Sequence, residues 1–374
     1  MMNTPELRQR CSTELQTAVG RASEIKAFMG FDGFVDNILH AVDKRESAEE
    51  YDAIPTLTRL ADRIAAAAGR STNIELVSQQ IKLGGNGPIM ANALARFGLR
   101  ICYLGCLGYP GTHPAFADFA NLAEVHSIAD PGFTDALEFQ DGKLMLGKHD
   151  ALKQLTWDNV CSRFGRDQFA DKLREARFVA FVNWTMLPGM NGIWAATLND
   201  ICPQLQGPRR RLFFDLADPE KRTDEDIAEA LDLVGEFQKY FDVVLGLNEK
   251  ESSEIGRVLD LDTNDHSPEG LAALGGRIQE RLKVDTVVIH PVAFAVAATK
   301  GDSAVVEGPF TPKPLITTGA GDHFNAGFCL GKLLGFDNAS SLLTGVATSG
   351  TYVRTGRSPG LADLVHFMQH WPVK

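Results

Sequence analysis

The six cysteines of this 374-residue chain, Cys11, Cys102, Cys106, Cys161, Cys202 and Cys329, include no Cys-x-x-Cys pair. That disfavours a zinc site and fits free, packed thiols in a reducing compartment, so the expected location is cytoplasmic. No stretch approaches the ~20 apolar residues that a membrane-spanning helix needs. Arg8, Arg10, Glu14 and Glu24 break up any apolar run at the N-terminus, which excludes a signal peptide. Positive charge is in deficit: the net charge is -11. Duplex nucleic acid and anionic membranes select basic surfaces, so neither is an expected partner. The nine histidines show no His-Glu-x-x-His spacing. There is no internal repeat or low-complexity tract. No Gly-x-Gly-x-x-Gly follows the first strand, which removes the signature of a dinucleotide-dependent oxidoreductase.

What remains is an ordinary globular composition, with 44% hydrophobic and 23% charged residues, long enough for a sizeable core. Residues 1–25 read as a polar helical extension outside the main pattern, and residues 26–374 as one domain. Short apolar runs at Ala27–Phe31, Ile101–Leu107, Phe178–Val182, Leu212–Phe214, Val243–Leu245 and Thr286–Ile289 alternate with helix-like segments. This rhythm predicts an α/β fold, a doubly wound and mostly parallel sheet flanked by helices. Two regions break it. Residues 133–148 read as a hairpin turning at Asp141-Gly142, and residues 74–83 read as a strand. With residues 34–42 they predict a small inserted β-lid. Gly142 to Lys148 has the spacing of a phosphate-binding loop, but His149 stands where Ser or Thr is required, so it reads as an arm of the hairpin. Pro208-Arg209-Arg210-Arg211 reads as a solvated basic face.

The strongest chemical signal is Thr317-Thr318-Gly319-Ala320-Gly321-Asp322-His323-Phe324. A glycine-rich turn runs into a helix whose first N–H groups and dipole favour an anion. A carboxylate among such donors suits phosphoryl transfer, where it accepts a hydroxyl proton. The same Asp could merely cap the helix. Asp32 and Asp36 stand beside Gly30 and Gly33 at the end of the first strand, where open α/β sheets bind ligands, although turn formation would also use them. Asn248 and Glu251 lie one helical turn apart and suit magnesium, directly or through water; an N-cap is the alternative.

The whole string resembles the C-terminal signature of the ribokinase/PfkB family of carbohydrate and nucleoside kinases. Other matches follow in the family's order over residues 26–370. Gly30-Phe31-Asp32-Gly33-Phe34-Val35-Asp36 is similar to its first strand end, Gly84-Gly85-Asn86-Gly87 to its N-terminal glycine signature, Leu104-Gly105-Cys106-Leu107-Gly108 to the following strand, Phe214-Asp215 to its central strand end, and Asn248-Glu249-Lys250-Glu251 to its Asn-x-x-Glu motif. The resemblance implies a kinase that moves a phosphoryl group from ATP, with Mg2+, to a hydroxyl of a sugar, sugar-like molecule or nucleoside. It implies Asp322 as general base, with the amides of Ala320, Gly321 and Asp322 around the phosphoryl group and Gly319 beside them. Asp36, Asp32, Gly85 and Asn86 would hold the acceptor. Asn248, Glu251, Thr318, Gly319 and Gly321 would hold the nucleotide. A homodimer through the lid is expected.

Three positions depart from the family. Ile89 replaces a substrate-binding Asn, with Asn92 three residues on. Ile316 replaces an acidic residue of the monovalent-cation site, so potassium should stimulate little. His290-Pro291-Val292-Ala293-Phe294-Ala295 replaces a Thr and two Gly of the nucleotide loop. The alternative function is a catalytically silent sugar or nucleotide sensor on the same fold; ATP turnover separates the two.

Overall fold

A computed structural model describes residues 3–372. The strands in chain order are β1 (Lys26–Phe31), β2 (Phe34–Arg45), β3 (Tyr51–Ala53), β4 (Leu76–Gly84), β5 (Arg100–Gly105), β6 (Glu124–Ser127), β7 (Gly132–Phe139), β8 (Gly142–Lys148), β9 (Phe178–Val182), β10 (Arg210–Asp215), β11 (Phe241–Leu247), β12 (Thr286–Ile289), β13 (Phe294–Thr299) and β14 (Asp302–Glu307). Nine of them form the main sheet, in the order β14-β13-β12-β11-β10-β9-β1-β5-β6. From β12 to β6 every pairing is parallel, and β13 and β14 extend the edge antiparallel.

Helices cover both faces, so the central strands are buried throughout and read as continuous apolar runs. On β9, Phe178, Ala180 and Val182 enter one core while Val179 and Phe181 enter the other, the period-two alternation of a strand. The first core holds Met29, Tyr103 and Phe213 against the helices Asn86–Arg96, Ala320–Leu334 and Asn338–Thr355. The segment read as an N-terminal extension belongs to that same core. Its helix Pro5–Gln16, capped by Thr4, buries Cys11 and Leu15, and Arg10 pairs with Asp337 at 2.8 Å. Few apolar residues in a polar helix are enough when they share one stripe.

A second sheet leaves the first through a two-residue step, Asp32-Gly33, between β1 and β2. A Cβ on Gly33 would lie 2.0 Å from the Cys106 carbonyl oxygen, so only glycine passes there. Strand β2 pairs with β3 and β4 antiparallel and with β7 parallel; β7 and β8 form the hairpin. β3 was not anticipated, being only three residues long.

The basic run at 209–211 is no free solvated face. Arg209 and Arg211 pair with Asp242 and Asp285, and Arg210 is buried, donating to the carbonyls of Arg174 and Gln206. A guanidinium satisfies its burial by capping carbonyls that would otherwise stay unpaired. All six cysteines are free. Among the described residues no helix is long and apolar enough to cross a membrane.

Candidate active site

The parallel strands β1, β9, β10, β11 and β12 end on one edge, where β10 finishes on Asp215 and the residues just past the other four are Asp32, Asn183, Asn248 and His290. A parallel sheet gathers such residues at its carboxyl edge. The glycine turn at 84–87 crosses this edge between β4 and the Asn86–Arg96 helix, and three carboxylates meet it. A Cβ on Gly84 would lie 2.5 Å from Asp36 Oδ2; one on Gly85, 2.8 Å from Asp32 Oδ2. Asn86 Nδ2 donates to Asp322 Oδ1 at 3.0 Å. The turn is glycine-rich because the carboxylates occupy the space that side chains would need.

Asp322 sits in the first turn of the Ala320–Leu334 helix and is buried. Loss of water raises its pKa to about 8, with the charges of Asp32 and Glu251 adding to the rise and the Asn86 amide opposing it. The helix begins at Gly319, whose φ of 85° is left-handed, and no side chain caps it. Ala320 N–H donates to Thr317 O at 3.1 Å, so its amide is spent on the turn rather than open to a ligand. The Asp322 amide supports its own carboxylate. That leaves Gly321 as the uncapped amide of this turn. His323 fixes the turn from behind: its Nδ1 donates to Gly319 O at 2.7 Å and its Nε2 meets Ser358 Oγ at 2.8 Å. Its ring stacks on Tyr352, whose hydroxyl donates to Thr318 O. Burial pushes the His323 pKa down to about 4, so the imidazole is neutral and only one ring nitrogen donates.

Asp36 is buried beside Gly84 and Thr134; burial raises its pKa, and the charge of Lys82 opposes the rise. Asp32 is another matter. It is 0% exposed, and its oxygens accept from Gly87 N at 2.9 Å, Tyr103 Oη at 3.2 Å and Asn183 Nδ2 at 2.7 Å. Asp32 was expected to touch an acceptor; here the glycine turn covers it. Asn92 does not take over from Ile89 either. Its amide donates to Ser358 Oγ at 3.0 Å and ties its helix to the loop after Thr355, while Ile89 packs beside Gly319.

Asn248 and Glu251 form a full capping box. Asn248 Oδ1 accepts Glu251 N at 2.9 Å, and Glu251 accepts Asn248 N at 2.8 Å and Asp218 N at 3.0 Å. Their oxygens are engaged, so a cation would reach them through water. Beside them lies a carboxylate that the sequence reading placed at a strand end without giving it a role. Buried Asp215 has its pKa raised well above the usual range by burial and by the charges of Glu251 and Asp322; Asn325 donates to it at 3.0 Å. Its signal was its place at the end of β10. Three acidic groups crowded away from water, with the buried Asn325 Oδ1 lacking any partner among the described residues, fit a divalent cation that keeps its waters.

Next to this cluster opens a cavity of about 390 Å³. Its wall includes Asn248, His290, Val292, Phe310, Gly321 and Val353. The substituted stretch thus lines it through His290, Pro291 and Val292, and His290 packs on Phe324 with ring centroids 4.8 Å apart. An uncapped helix start at one end and apolar walls beyond fit a polyphosphate joined to a flat base.

Known proteins give the same picture. The family model described as prokaryotic ketohexokinase matches residues 2–371. A ketohexokinase of Haloferax volcanii is 32% identical over 344 residues, covering 91% of this chain and 90% of that protein. Arabidopsis thaliana ribokinase, solved with ribose and ATP, superposes with a TM-score of 0.64 at 15% identity, over 92% of this chain and 98% of that one. The nucleoside kinase of Methanocaldococcus jannaschii gives 0.60 at 15% identity, over 92% and 98%. The fold is therefore ribokinase-like, and the chain is a carbohydrate kinase belonging to the prokaryotic ketohexokinase family.

Proposed function

We propose that this kinase transfers the terminal phosphoryl group of ATP to a hydroxyl of a ketohexose, with Asp322 as general base. The observation that carries the reading is a buried carboxylate held at the uncapped start of a helix, with a pKa of about 8. A base near the working pH is the most effective proton acceptor. The acceptor class rests on the family description and on the name of the Haloferax volcanii relative.

The acceptor lies over the Gly84–Gly87 turn, between the two sheets. Asp36 accepts its hydroxyls, and Gly85 and Asn86 form the floor. The reacting oxygen attacks phosphorus, the bond to ADP breaks, and the hydroxyl proton passes to Asp322 Oδ. The Gly321 amide faces the transferring group, and Thr318 and Gly319 border it. ATP occupies the cavity between Val292 and Val353. Glu251 and Asn248 hold magnesium through water with Asp215 nearby; the ion supplies charge neutralisation for the phosphates. The second sheet acts as a lid that excludes water and suppresses hydrolysis.

Exposed Leu76, Ile81, Met145 and Leu146 on that lid support a homodimer formed through it. The function is tested by ADP release across a panel of ketohexoses, aldoses and nucleosides. Turnover highest with a ketohexose supports the reading; nucleoside-dependent turnover alone refutes it.

A further inference from the structure

Asp32 has no surface left for a substrate, yet its setting is costly. A fully buried carboxylate must be repaid by hydrogen bonds. Its pKa rises only to about 6, because Asn183, Gly87, Tyr103 and Asn86 offset much of the loss of water. Several elements are shaped around it. Asn183 takes a left-handed φ of 61° at the end of β9 and donates to Oδ2. Tyr103 reaches up from β5 to the Asp32 carbonyl at 2.7 Å and to Oδ1 at 3.2 Å. A Cβ on Gly87 would lie 2.5 Å from Oδ1 and 2.1 Å from the Tyr103 hydroxyl. Asn86 stands between the two glycines that close on this carboxylate, and its side chain donates to Asp322.

We propose that Asp32 is a positioning residue for the reaction: by gripping the backbone of the Gly85–Gly87 turn it aims the Asn86 amide at Asp322. The inference rests on Asp322 being the base. A carboxylate that changes partners as a proton leaves and returns needs a fixed donor, and a misplaced one costs up to ~10²-fold in rate. Asp32 fixes that donor through two backbone amides rather than through the substrate.

The test is a double-mutant cycle read on kcat, with wild type, Asp32→Asn, Asn86→Ala and the double variant. Asp32→Asn keeps the shape but turns an acceptor into a donor facing the Asn183 amide. It should lower kcat about tenfold to a hundredfold while the acceptor KM moves less than threefold. The double variant should be no slower than the slower single one, since Asp32 acts through Asn86. Additive losses, or a wild-type kcat for Asp32→Asn, overturn the inference. A purely structural role would lower thermal stability without this non-additivity. If Asp32→Asn does not fold, Tyr103→Phe enters the cycle in its place; it removes one donor and should lower kcat about threefold to tenfold, again without adding to Asn86→Ala. Asp322→Asn, run in parallel, separates the two readings. An active Asp322→Asn refutes the base itself, whereas an inactive one beside an additive cycle refutes only the role of Asp32.

Discussion

Asp322 leaves water on entering the first turn of its helix, and the charges of Asp32 and Glu251 make ionisation harder still. The sign follows directly. A raised carboxyl pKa keeps the proton on at low pH, so the base form grows as pH rises towards 8. The acid limb of kcat/KM, which reports the free enzyme, should therefore fall near pH 8; an acid limb near pH 4 would show an Asp322 that ionises as if solvated. Asp36 has a different task. It is buried against Gly84 with Thr134 beside it, and its removal leaves acceptor hydroxyls without a partner. Asp36→Ala should weaken acceptor binding by ~1–3 kcal/mol while leaving ATP binding nearly unchanged. Calorimetry with the acceptor alone measures this, and an unchanged affinity would return Asp36 to the role of a turn former.

At the scale of elements, the glycine turn joins what the sequence keeps apart: β4 arrives from one sheet, the Asn86–Arg96 helix leaves over the other, and three carboxylates sit against four residues. Gly84→Ala would place a methyl 2.5 Å from Asp36 Oδ2. Either the carboxylate or the strand must move, so the acceptor KM should rise at least tenfold with the ATP KM held within about threefold; equal changes in both would mean the strand end had simply unfolded. Much of this was legible beforehand. The glycine turn into a helix at 319–322 and the alternating apolar runs carry their own physics. Other features were not. The burial of Asp32 depends on Tyr103 and Asn183, remote in sequence and unremarkable where they stand. The antiparallel strand β13 begins at Phe294 and Ala295, which were read as the end of a nucleotide loop. Asn248 and Glu251 form the helix cap that was their alternative reading, and the cation role proposed for them would draw on the same oxygens through water.

For the whole molecule, a polar N-terminal helix proves integral to the first core, because Cys11, Leu15, Ala18 and Ala22 are all buried there. The second sheet carries exposed apolar side chains of its own, with Ile81 57% and Met145 49% exposed. A lid that pairs with a second copy should make the chain dimeric in solution. Ile81→Glu combined with Met145→Glu should yield monomers by light scattering, while a wild-type chain that is already monomeric would remove the lid from any role in assembly.

The proposed catalytic centre is the meeting of a cavity for nucleotide and a floor for sugar at one buried carboxylate. It is tested most directly by the rate of sugar phosphate formation from ATP, magnesium and a ketohexose, compared between the wild-type chain and Asp322→Asn. Loss of the base should lower kcat ~10²–10⁴-fold with acceptor binding nearly intact. A variant that keeps more than about a tenth of the wild-type rate would contradict the assignment.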